Sequence, residues 1–234
     1  MDAKLQRRVQ RYGWDLAAAD YEPLWQSQLA PAQARLMACA ALAPGERVLD
    51  VACGTGLVSF AAARAVGPTG AVVGIDISGQ MIETAARRAH EGEVTNASFA
   101  RMDAESLALP DASFDVVLCA LGLMYLPDPE QALREMRRVL RPGGRLVLMG
   151  PNIRYLAAEY WDFYDHYLPL SHLSLEEGLS IAGFSVKRVI ARFLPYTTRS
   201  ALPKAAFLIA AYVQMPWAWP LFGKQFLLVS EKPA

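Results

Sequence analysis

Short apolar runs alternate with amphipathic stretches through the middle of this chain. The runs have the length of strands, and the stretches between them repeat apolar residues with the period of a helix that packs on a sheet. The predicted strands are residues 47–52, 71–77, 97–102, 114–120, 145–149, 185–192 and 225–230. Seven strands separated by helices predict a single open α/β sheet, mostly parallel, with helices on both faces.

Capping residues mark two of the predicted helices. Ser78 is a good N-cap for a helix whose apolar stripe runs along residues 81–89. Asp128 is the N-cap of another, with Pro129 at the first helical position and Gln131 completing a capping-box pattern. The Arg-Pro-Gly-Gly sequence at 141–144 predicts the end of this helix and a turn into the next strand.

The pattern divides one structural domain into three parts. Residues 1–43 are helical in tendency and rich in aromatic side chains, which predicts a cap over the site formed by the core. Residues 44–150 hold the first five predicted strands and form a Rossmann-like core. Residues 151–234 complete the sheet and, with an aromatic and histidine cluster at 155–167, form a lid on the substrate side.

Charge and cysteine content exclude several classes of protein. The 23 basic and 23 acidic residues cancel, so no global field attracts nucleic acid, and none is expected as a partner. Cys39, Cys53 and Cys119 lie far apart without metal-ligand spacing, which predicts free thiols in a reducing compartment and no metal site. The first residues lack the apolar stretch of a signal peptide, so we expect a cytoplasmic protein.

One uncharged segment, residues 205–223, has nearly the length needed to cross a bilayer. Pro216 and Pro220 interrupt any helix there, which favours a buried lid or core element. Contact with a membrane surface or with a lipophilic substrate stays open, as does a membrane span.

A glycine loop follows the first predicted strand, at the edge where open α/β sheets bind ligands. Gly54 and Gly56 allow the backbone to approach a ligand, and the helix that begins near Leu57 directs free N–H groups and a positive dipole end towards it. Twenty residues after Gly56, Asp76 lies near the end of the second strand, where a carboxylate can accept both hydroxyls of a ribose. These features predict a cofactor that contains adenosine.

Ser59 bears on the identity of that cofactor. A dinucleotide fingerprint requires glycine or alanine at this third position of the loop, so a nicotinamide oxidoreductase is disfavoured.

Four segments in the same order resemble those of class I S-adenosylmethionine (SAM)-dependent methyltransferases that act on small molecules. They are VLDVACGTG at 48–56, GIDIS at 74–78, DAE at 103–105 running on to FDVV at 114–117, and LRPGG at 140–144. The resemblance covers about residues 44–150. It implies a sheet in the order 3-2-1-4-5-7-6 whose last strand is antiparallel.

The same resemblance implies SAM as cofactor and S-adenosylhomocysteine as its product. The glycine loop would line the methionine portion, Asp76 and Ile77 the ribose and adenine, Asp103 and Ala104 the adenine edge, and Met81 the adenine face. The implied cofactor-binding residues are Asp50, Ala52, Cys53, Gly54, Thr55, Gly56, Asp76, Ile77, Met81, Asp103, Ala104 and Ala120.

Methyl transfer needs no nucleophile from the enzyme, because the acceptor atom attacks the methyl group directly. The protein positions the acceptor, removes its proton where necessary and excludes water. Tyr125, in the loop 121–127, and His166 are the catalytic candidates, and His172 is a further candidate base. Many members of the family carry histidine in place of Tyr125, which leaves the need for a base there open. The alternative for His166 is a structural role as a buried histidine whose hydrogen bonds are satisfied within the protein.

The predicted function is methyl transfer from SAM to an O, N or C atom of a small, partly apolar metabolite. Segments 150–155 and 192–198 resemble bacterial methyltransferases of glycan and lipid-linked glycan pathways, so a lipid-linked acceptor stays open. The alternative function is a non-catalytic regulatory or assembly protein that binds SAM or a nucleotide. The sequence leaves the oligomeric state open.

Overall fold

The strands of this protein form one twisted, mixed sheet. A computed structural model describes residues 2–162, 166–195 and 206–234. The strands are β1 (Arg47–Val51), β2 (Ala71–Asp76), β3 (Ala97–Arg101), β4 (Phe114–Ala120), β5 (Leu140–Pro151), β6 (Ser185–Ile190) and β7 (Gln225–Glu231). Their order is β3-β2-β1-β4-β5-β7-β6, with β7 antiparallel to β5 and β6 and the other pairs parallel. The predicted fold class and strand order are confirmed.

Helices cover both faces of the sheet. They are α1 (Ala3–Ala17), α2 (Tyr21–Ala40), α3 (Leu57–Val66), α4 (Gly79–Glu91), α5 (Pro129–Val139), α6 (Ile153–Leu156), α7 (His172–Ile181), α8 (Ala206–Val213) and α9 (Trp219–Phe222), with 3-10 turns at Leu123–Tyr125, Ala157–Asp162 and Pro216–Ala218. Neighbouring residues of β1 face opposite layers: Leu49 packs with residues of α5 and α7, and Val48 with residues of α2 and α3. This alternation produces two apolar cores separated by the sheet.

The predicted N-caps are present, and one has an unforeseen partner. Ser78 Oγ accepts from the Met81 N–H over 3.1 Å, and Asp128 Oδ1 accepts from the Gln131 N–H over 2.9 Å. In the predicted capping box, the Gln131 side chain would accept a hydrogen bond from the Asp128 N–H. In the structure, Oε1 of Glu105 accepts from this N–H over 2.9 Å. The Gln131 side-chain amide donates to the Glu105 carbonyl instead. A carboxylate is the stronger acceptor, so it takes the orphan N–H of this helix.

The prediction that residues 141–144 are a turn ahead of the fifth strand is wrong in one respect. Strand β5 begins at Leu140, which pairs with Phe114, while Arg145 pairs with Val116. The four residues between them therefore bulge out of the strand opposite Asp115. Gly143, with φ of +74°, provides the left-handed backbone that this bulge requires.

The uncharged segment 205–223 forms short elements. Helix α8 ends at Val213, a 3-10 turn starts at Pro216, and α9 contains Pro220. Ala205, and residues 196–198 of the second glycan-type segment, lie outside the described residues. Along the described part of the chain, no helix is both long enough and apolar enough to cross a membrane.

Candidate functional site

A cavity of about 530 Å³ opens at the carboxyl ends of the parallel strands. Ala52 lines it from the end of β1, Asp76 from β2, Met102 from β3 and Ala120 from β4. This is the edge at which open α/β sheets bind their ligands. Helices α1 and α2 and the segment around α8 and α9 supply the rest of the wall.

The loop after β1 has an unusual backbone. Ala52, Gly54 and Gly56 all have positive φ, at 56°, 55° and 88°. A β-carbon on Gly56 would lie 2.8 Å from the Phe60 ring, so only glycine fits where α3 begins. Ala52 and Gly54 line the cavity, whereas Gly56 packs beneath the loop.

Asp50 lies inside the protein and is not among the described residues that line the cavity. It is 1% exposed, and its Oδ2 accepts from the Ser59 hydroxyl over 2.6 Å. Burial raises the pKa of Asp50 from its ordinary value of 3.8 to about 7. Ser59, which distinguishes this loop from a dinucleotide fingerprint, is thus the hydrogen-bond partner of a buried carboxyl group.

Asp76 connects two loops at the cavity wall. Its Oδ2 accepts from the Gly54 N–H and its Oδ1 from the Ser78 N–H, both over 2.9 Å. Burial raises the pKa of Asp76 despite these hydrogen bonds. Each carboxylate oxygen can accept more than one hydrogen bond, so the pair of oxygens can still receive the two hydroxyls of a ribose.

Polar contacts hold α1 and α2 over the strand ends. Arg7 of α1 forms ion pairs with Asp103, at 2.9 Å, and with Glu105. Asp15, also on α1, accepts from the Ser78 hydroxyl over 2.7 Å, and Glu22 of α2 pairs with Arg88 of α4. The two helices therefore close the cavity above β2 and β3.

Three aromatic side chains meet in the cavity wall beneath these helices. The Trp14 ring contacts Tyr21 at 5.8 Å between centroids and Tyr125 at 5.5 Å, both edge to face. All three line the cavity. Aromatic faces carry negative charge density, so this group suits a ligand with a positive centre.

Tyr125 and His166 lie together in the cavity wall, with ring centroids 5.7 Å apart. His166 is buried, and its Nδ1 lies 2.7 Å from the Tyr160 carbonyl oxygen. Because a carbonyl oxygen only accepts, this hydrogen bond requires a proton on Nδ1.

His172 has a different environment. Its Nδ1 accepts from the Asn152 amide over 2.9 Å, and its ring stacks on Tyr155. It is absent from the described cavity wall, so its contacts are those of a structural residue. Residues 163–165 of the aromatic cluster lie outside the described residues.

The structure brings most of the predicted site residues to one cavity. Those in its wall are Ala52, Gly54, Asp76, Ile77, Met81, Asp103, Ala104, Ala120, Tyr125 and His166. Asp50, Cys53, Thr55 and Gly56 are absent from the described wall, since they pack on the inner side of the glycine loop.

Several cavity residues were not among the predicted site residues. Arg7, Gln10 and Trp14 line the cavity from α1, and the Trp14 indole N–H donates to Gln10 Oε1 over 3.1 Å. The spacing of Gln10 and Trp14, four residues apart, places them on one helix face and was an available signal. Tyr212, from the uncharged segment 205–223, also lines the cavity, as does Gln225, for which no motif gave a signal.

Comparison with known proteins relates this chain to methyltransferases. The family described as a methyltransferase domain matches residues 42–170. The chain is 43% identical over 132 residues to ubiquinone/menaquinone biosynthesis C-methyltransferase UbiE of Ectopseudomonas mendocina (strain ymp), covering 55% of this chain and 52% of that protein. It is 37% identical over 153 residues to aklanonic acid methyltransferase DauC of Streptomyces sp. (strain C5), covering 65% of this chain and 69% of that protein. The chain thus spans about half the length of the first relative.

The fold also resembles that of solved structures. A chain in the complex between the Haloferax volcanii Trm112 methyltransferase activator and a methyltransferase superposes with a TM-score of 0.77 at 22% identity, covering 96% of this chain and 98% of that one.

Proposed function

Because the chain belongs to the methyltransferase-domain family, we propose that it transfers a methyl group from SAM to an O, N or C atom of a small, partly apolar acceptor. The match over residues 42–170 confirms the family that the four sequence segments predicted. The observation that carries the proposal is the Asp76 carboxylate, which lines the cavity while it holds the glycine loop through the Gly54 N–H.

The residues of the cavity fit SAM. Asp76 would accept the ribose hydroxyls, Met81 and Ile77 would pack on the adenine, and Asp103 with Ala104 would lie at its edge. The aromatic group of Trp14, Tyr21 and Tyr125 would surround a positive sulfonium. When bound, SAM supplies an electrophilic methyl group.

The proposed function assigns a role to each part of the chain. Residues 1–43 serve as the cap over the cofactor, residues 44–150 as the cofactor-binding core and residues 151–234 as the substrate-side lid. Support comes from Trp14 and Tyr21 at the cofactor end of the cavity and from Tyr212 and Phe222 at the other end.

Tyr125 and His166 are the groups that act on the acceptor. His166 lies beside Tyr125 in the cavity wall and would take the proton that the acceptor atom loses as its bond to the methyl carbon forms, while the Tyr160 carbonyl holds its ring through Nδ1. Tyr125, whose ring packs against both Trp14 and His166, orients the acceptor.

The acceptor is small and partly apolar. The cavity beyond Tyr125 is lined by apolar side chains such as Leu121, Met124, Leu194 and Phe222. The names of the two relatives refer to ubiquinone/menaquinone biosynthesis and to aklanonic acid, which supports an organic small molecule as acceptor.

The first test is ligand binding. SAM and S-adenosylhomocysteine, each at roughly 100 times its dissociation constant, should raise Tm by about 5–10 °C, while NAD should not. A shift with NAD, or none with either SAM-type ligand, contradicts the cofactor assignment.

The second test is transfer of labelled methyl from SAM to a panel of phenols and naphthoquinols. The His166→Gln variant should lose at least about tenfold in kcat, because general-base catalysis contributes on the order of a hundredfold or more. The matched control His172→Gln should retain kcat. Binding of both SAM-type ligands without turnover on any acceptor would instead favour the non-catalytic alternative.

We also propose that the apolar patch at the cavity mouth contacts an anionic membrane surface. Trp217 and Leu221 are 73% and 65% exposed, and the adjacent Phe222 also lines the cavity. The Arg192 guanidinium donates to the Gly223 carbonyl over 2.8 Å, and Lys224 is the residue after Gly223. Two cationic side chains therefore border the patch. Exposed aromatic and aliphatic groups with neighbouring cations are typical of proteins that lie on anionic lipid.

Cosedimentation with phosphatidylglycerol vesicles tests this contact. Wild type should sediment with them and only weakly with phosphatidylcholine vesicles, and the double variant Trp217→Ser with Leu221→Ser should stay in solution. Leu16→Ser, which alters an 84% exposed leucine of α1, should behave as wild type. Equal sedimentation of the double variant excludes the patch as the contact.

A further inference from the structure

Helix α1 is held over the cavity largely by polar side chains. The buried residues of this helix are Gln6 and Gln10, while its apolar Leu5, Tyr12 and Leu16 are exposed. The buried positions are thus both polar, and the hold of α1 on the cavity depends on a few directional contacts. An element held in this way can undock while the core of the protein stays folded.

Glu105 joins this helix to the acceptor loop, which is residues 121–127 and carries Tyr125. The Glu105 side chain is 3% exposed and has a partner on each oxygen. Oε2 pairs with the Arg7 guanidinium of α1, and Oε1 accepts from the N–H of Asp128, the residue after the loop, over 2.9 Å. If Arg7 leaves, the buried carboxylate loses the charge that compensates its burial. The end of the acceptor loop therefore depends on the position of α1.

The same helix contacts the cofactor end of the cavity. Arg7 Nε pairs with Asp103 at 2.9 Å, and Asp15 accepts from the Ser78 hydroxyl over 2.7 Å. Asp103 lies in the cavity wall at the proposed adenine edge, and the Ser78 N–H donates to Asp76, the proposed ribose ligand. A cofactor held by these residues would favour the docked position of α1, which closes over it.

A second contact connects α1 with the acceptor loop. The Trp14 ring of α1 lies 5.5 Å from the Tyr125 ring, which in turn lies 5.7 Å from His166. Docking of α1 thus acts on the loop at two points, directly at Tyr125 and through Glu105 at Asp128.

We propose that Glu105 is a positioning residue that couples the cofactor cap to the acceptor loop. Cofactor binding docks α1, Arg7 then compensates the Glu105 carboxylate, and this carboxylate holds the loop in place for the acceptor. The cofactor therefore binds first and completes the acceptor site. This inference rests on the proposed methyltransferase function and adds the order of binding and the residue that sets it.

Hydrogen exchange followed by mass spectrometry, with and without S-adenosylhomocysteine at saturation, tests the coupling. In wild type the ligand should slow exchange in residues 3–17 and, by roughly fivefold or more, in residues 121–128, since coupling free energies are typically of that size. Glu105→Gln keeps an acceptor for the Asp128 N–H but removes the charge that pairs with Arg7. It should bind the ligand and lose the ligand-dependent protection of residues 121–128.

The matched control is Glu130→Gln, which removes a carboxylate that pairs with Arg134 on the exposed side of α5. This variant should keep the wild-type protection of residues 121–128. Arg7→Met, which breaks the same link from the other side, should lose that protection. The double variant Arg7→Met with Glu105→Gln should lose no more than either single variant, because both changes act through one contact.

A merely structural role for Glu105 has a different signature. Exchange of residues 121–128 would then be faster in Glu105→Gln by the same factor with and without ligand, and that result would overturn the inference. So would full ligand-dependent protection in Arg7→Met, or none in wild type. If circular dichroism shows that Glu105→Gln is unfolded, Arg7→Met decides the outcome. Failure of wild type to bind S-adenosylhomocysteine would instead refute the proposed function itself.

Discussion

The Gly54 N–H donates to Oδ2 of Asp76 over a distance of 2.9 Å, across 22 residues of sequence. This bond joins the glycine loop after β1 to the end of β2, so the two halves of the predicted cofactor site form one rigid unit. The other oxygen of Asp76 accepts the Ser78 N–H, which orients the carboxylate along the cavity wall.

Replacing Asp76 should therefore remove both a ligand contact and the support of the loop. Asp76→Ala should abolish detectable binding of S-adenosylhomocysteine in calorimetry, while Asp76→Asn, which keeps one acceptor oxygen, should weaken it. Far-ultraviolet circular dichroism of both variants should match wild type. Retained affinity in folded Asp76→Ala would disprove the ribose assignment.

Gly122 faces the strained Ala52 at the floor of the cavity. A β-carbon on Gly122 would lie 2.5 Å from the Ala52 β-carbon and 3.1 Å from Cys119 Sγ. Gly122→Ala should cost about 1–3 kcal/mol of unfolding free energy in urea titrations, because overpacking displaces the loop. It should also reduce affinity for S-adenosylhomocysteine.

The control for this variant is Gly13→Ala on α1, where nothing lies within 4 Å of the added carbon. That change should stabilise the protein by about 0.5–1 kcal/mol, since alanine favours a helix over glycine. Equal stability of Gly122→Ala and wild type would show that Ala52 and Cys119 can shift to accommodate the added carbon.

The raised pKa of Asp50 predicts a pH dependence of stability. Between 3.8 and about 7 the folded state holds a proton on Asp50 that the unfolded state has released. Stability should therefore fall as pH rises through this window, by at most about 1.4 kcal/mol per pH unit from this group, and level off above it.

Asp50→Asn should flatten this dependence, measured as urea unfolding free energy at several pH values. Some slope should remain, because burial also raises the pKa of Asp76. The exposed Asp20→Asn serves as control and should keep the wild-type slope. An unchanged slope in Asp50→Asn would contradict the buried, protonated state.

Arg7 is the ionic contact of α1 with the loop after β3. Arg7→Met should loosen α1, seen as faster amide hydrogen exchange in residues 3–17, and should weaken S-adenosylhomocysteine binding, because Asp103 and Glu105 lose their counter-charge. Arg8→Met, at an exposed position of the same helix, should leave both unchanged. Equal exchange in the two variants would show that apolar packing alone holds the helix.

Much of this protein follows from local sequence. The strands are predictable because short runs rich in β-branched and apolar residues, such as 72–75 and 114–120, are typical of parallel strands buried on both faces. The loop with Gly54 and Gly56 and the acid Asp76 are predictable because chain order places them at adjacent strand ends.

The sequence did not predict which individual polar groups are buried in the core. Asp50 and Asp76 both lie at strand ends, yet Asp50 faces Ser59 inside the core and Asp76 faces the cavity. Which carboxylate meets the ligand depends on side-chain direction and on the neighbouring helix. Local periodicity does not encode either of these.

The sequence by itself determined the sheet, its helices and the cofactor end of the cavity, since those depend on periodicity and on contacts between consecutive elements. Only the tertiary structure decided that Arg7 reaches Glu105 across 98 residues and that Tyr125, His166 and Gln225 line one cavity. Such contacts depend on how distant elements pack over the sheet, and the chain carries no local pattern for them.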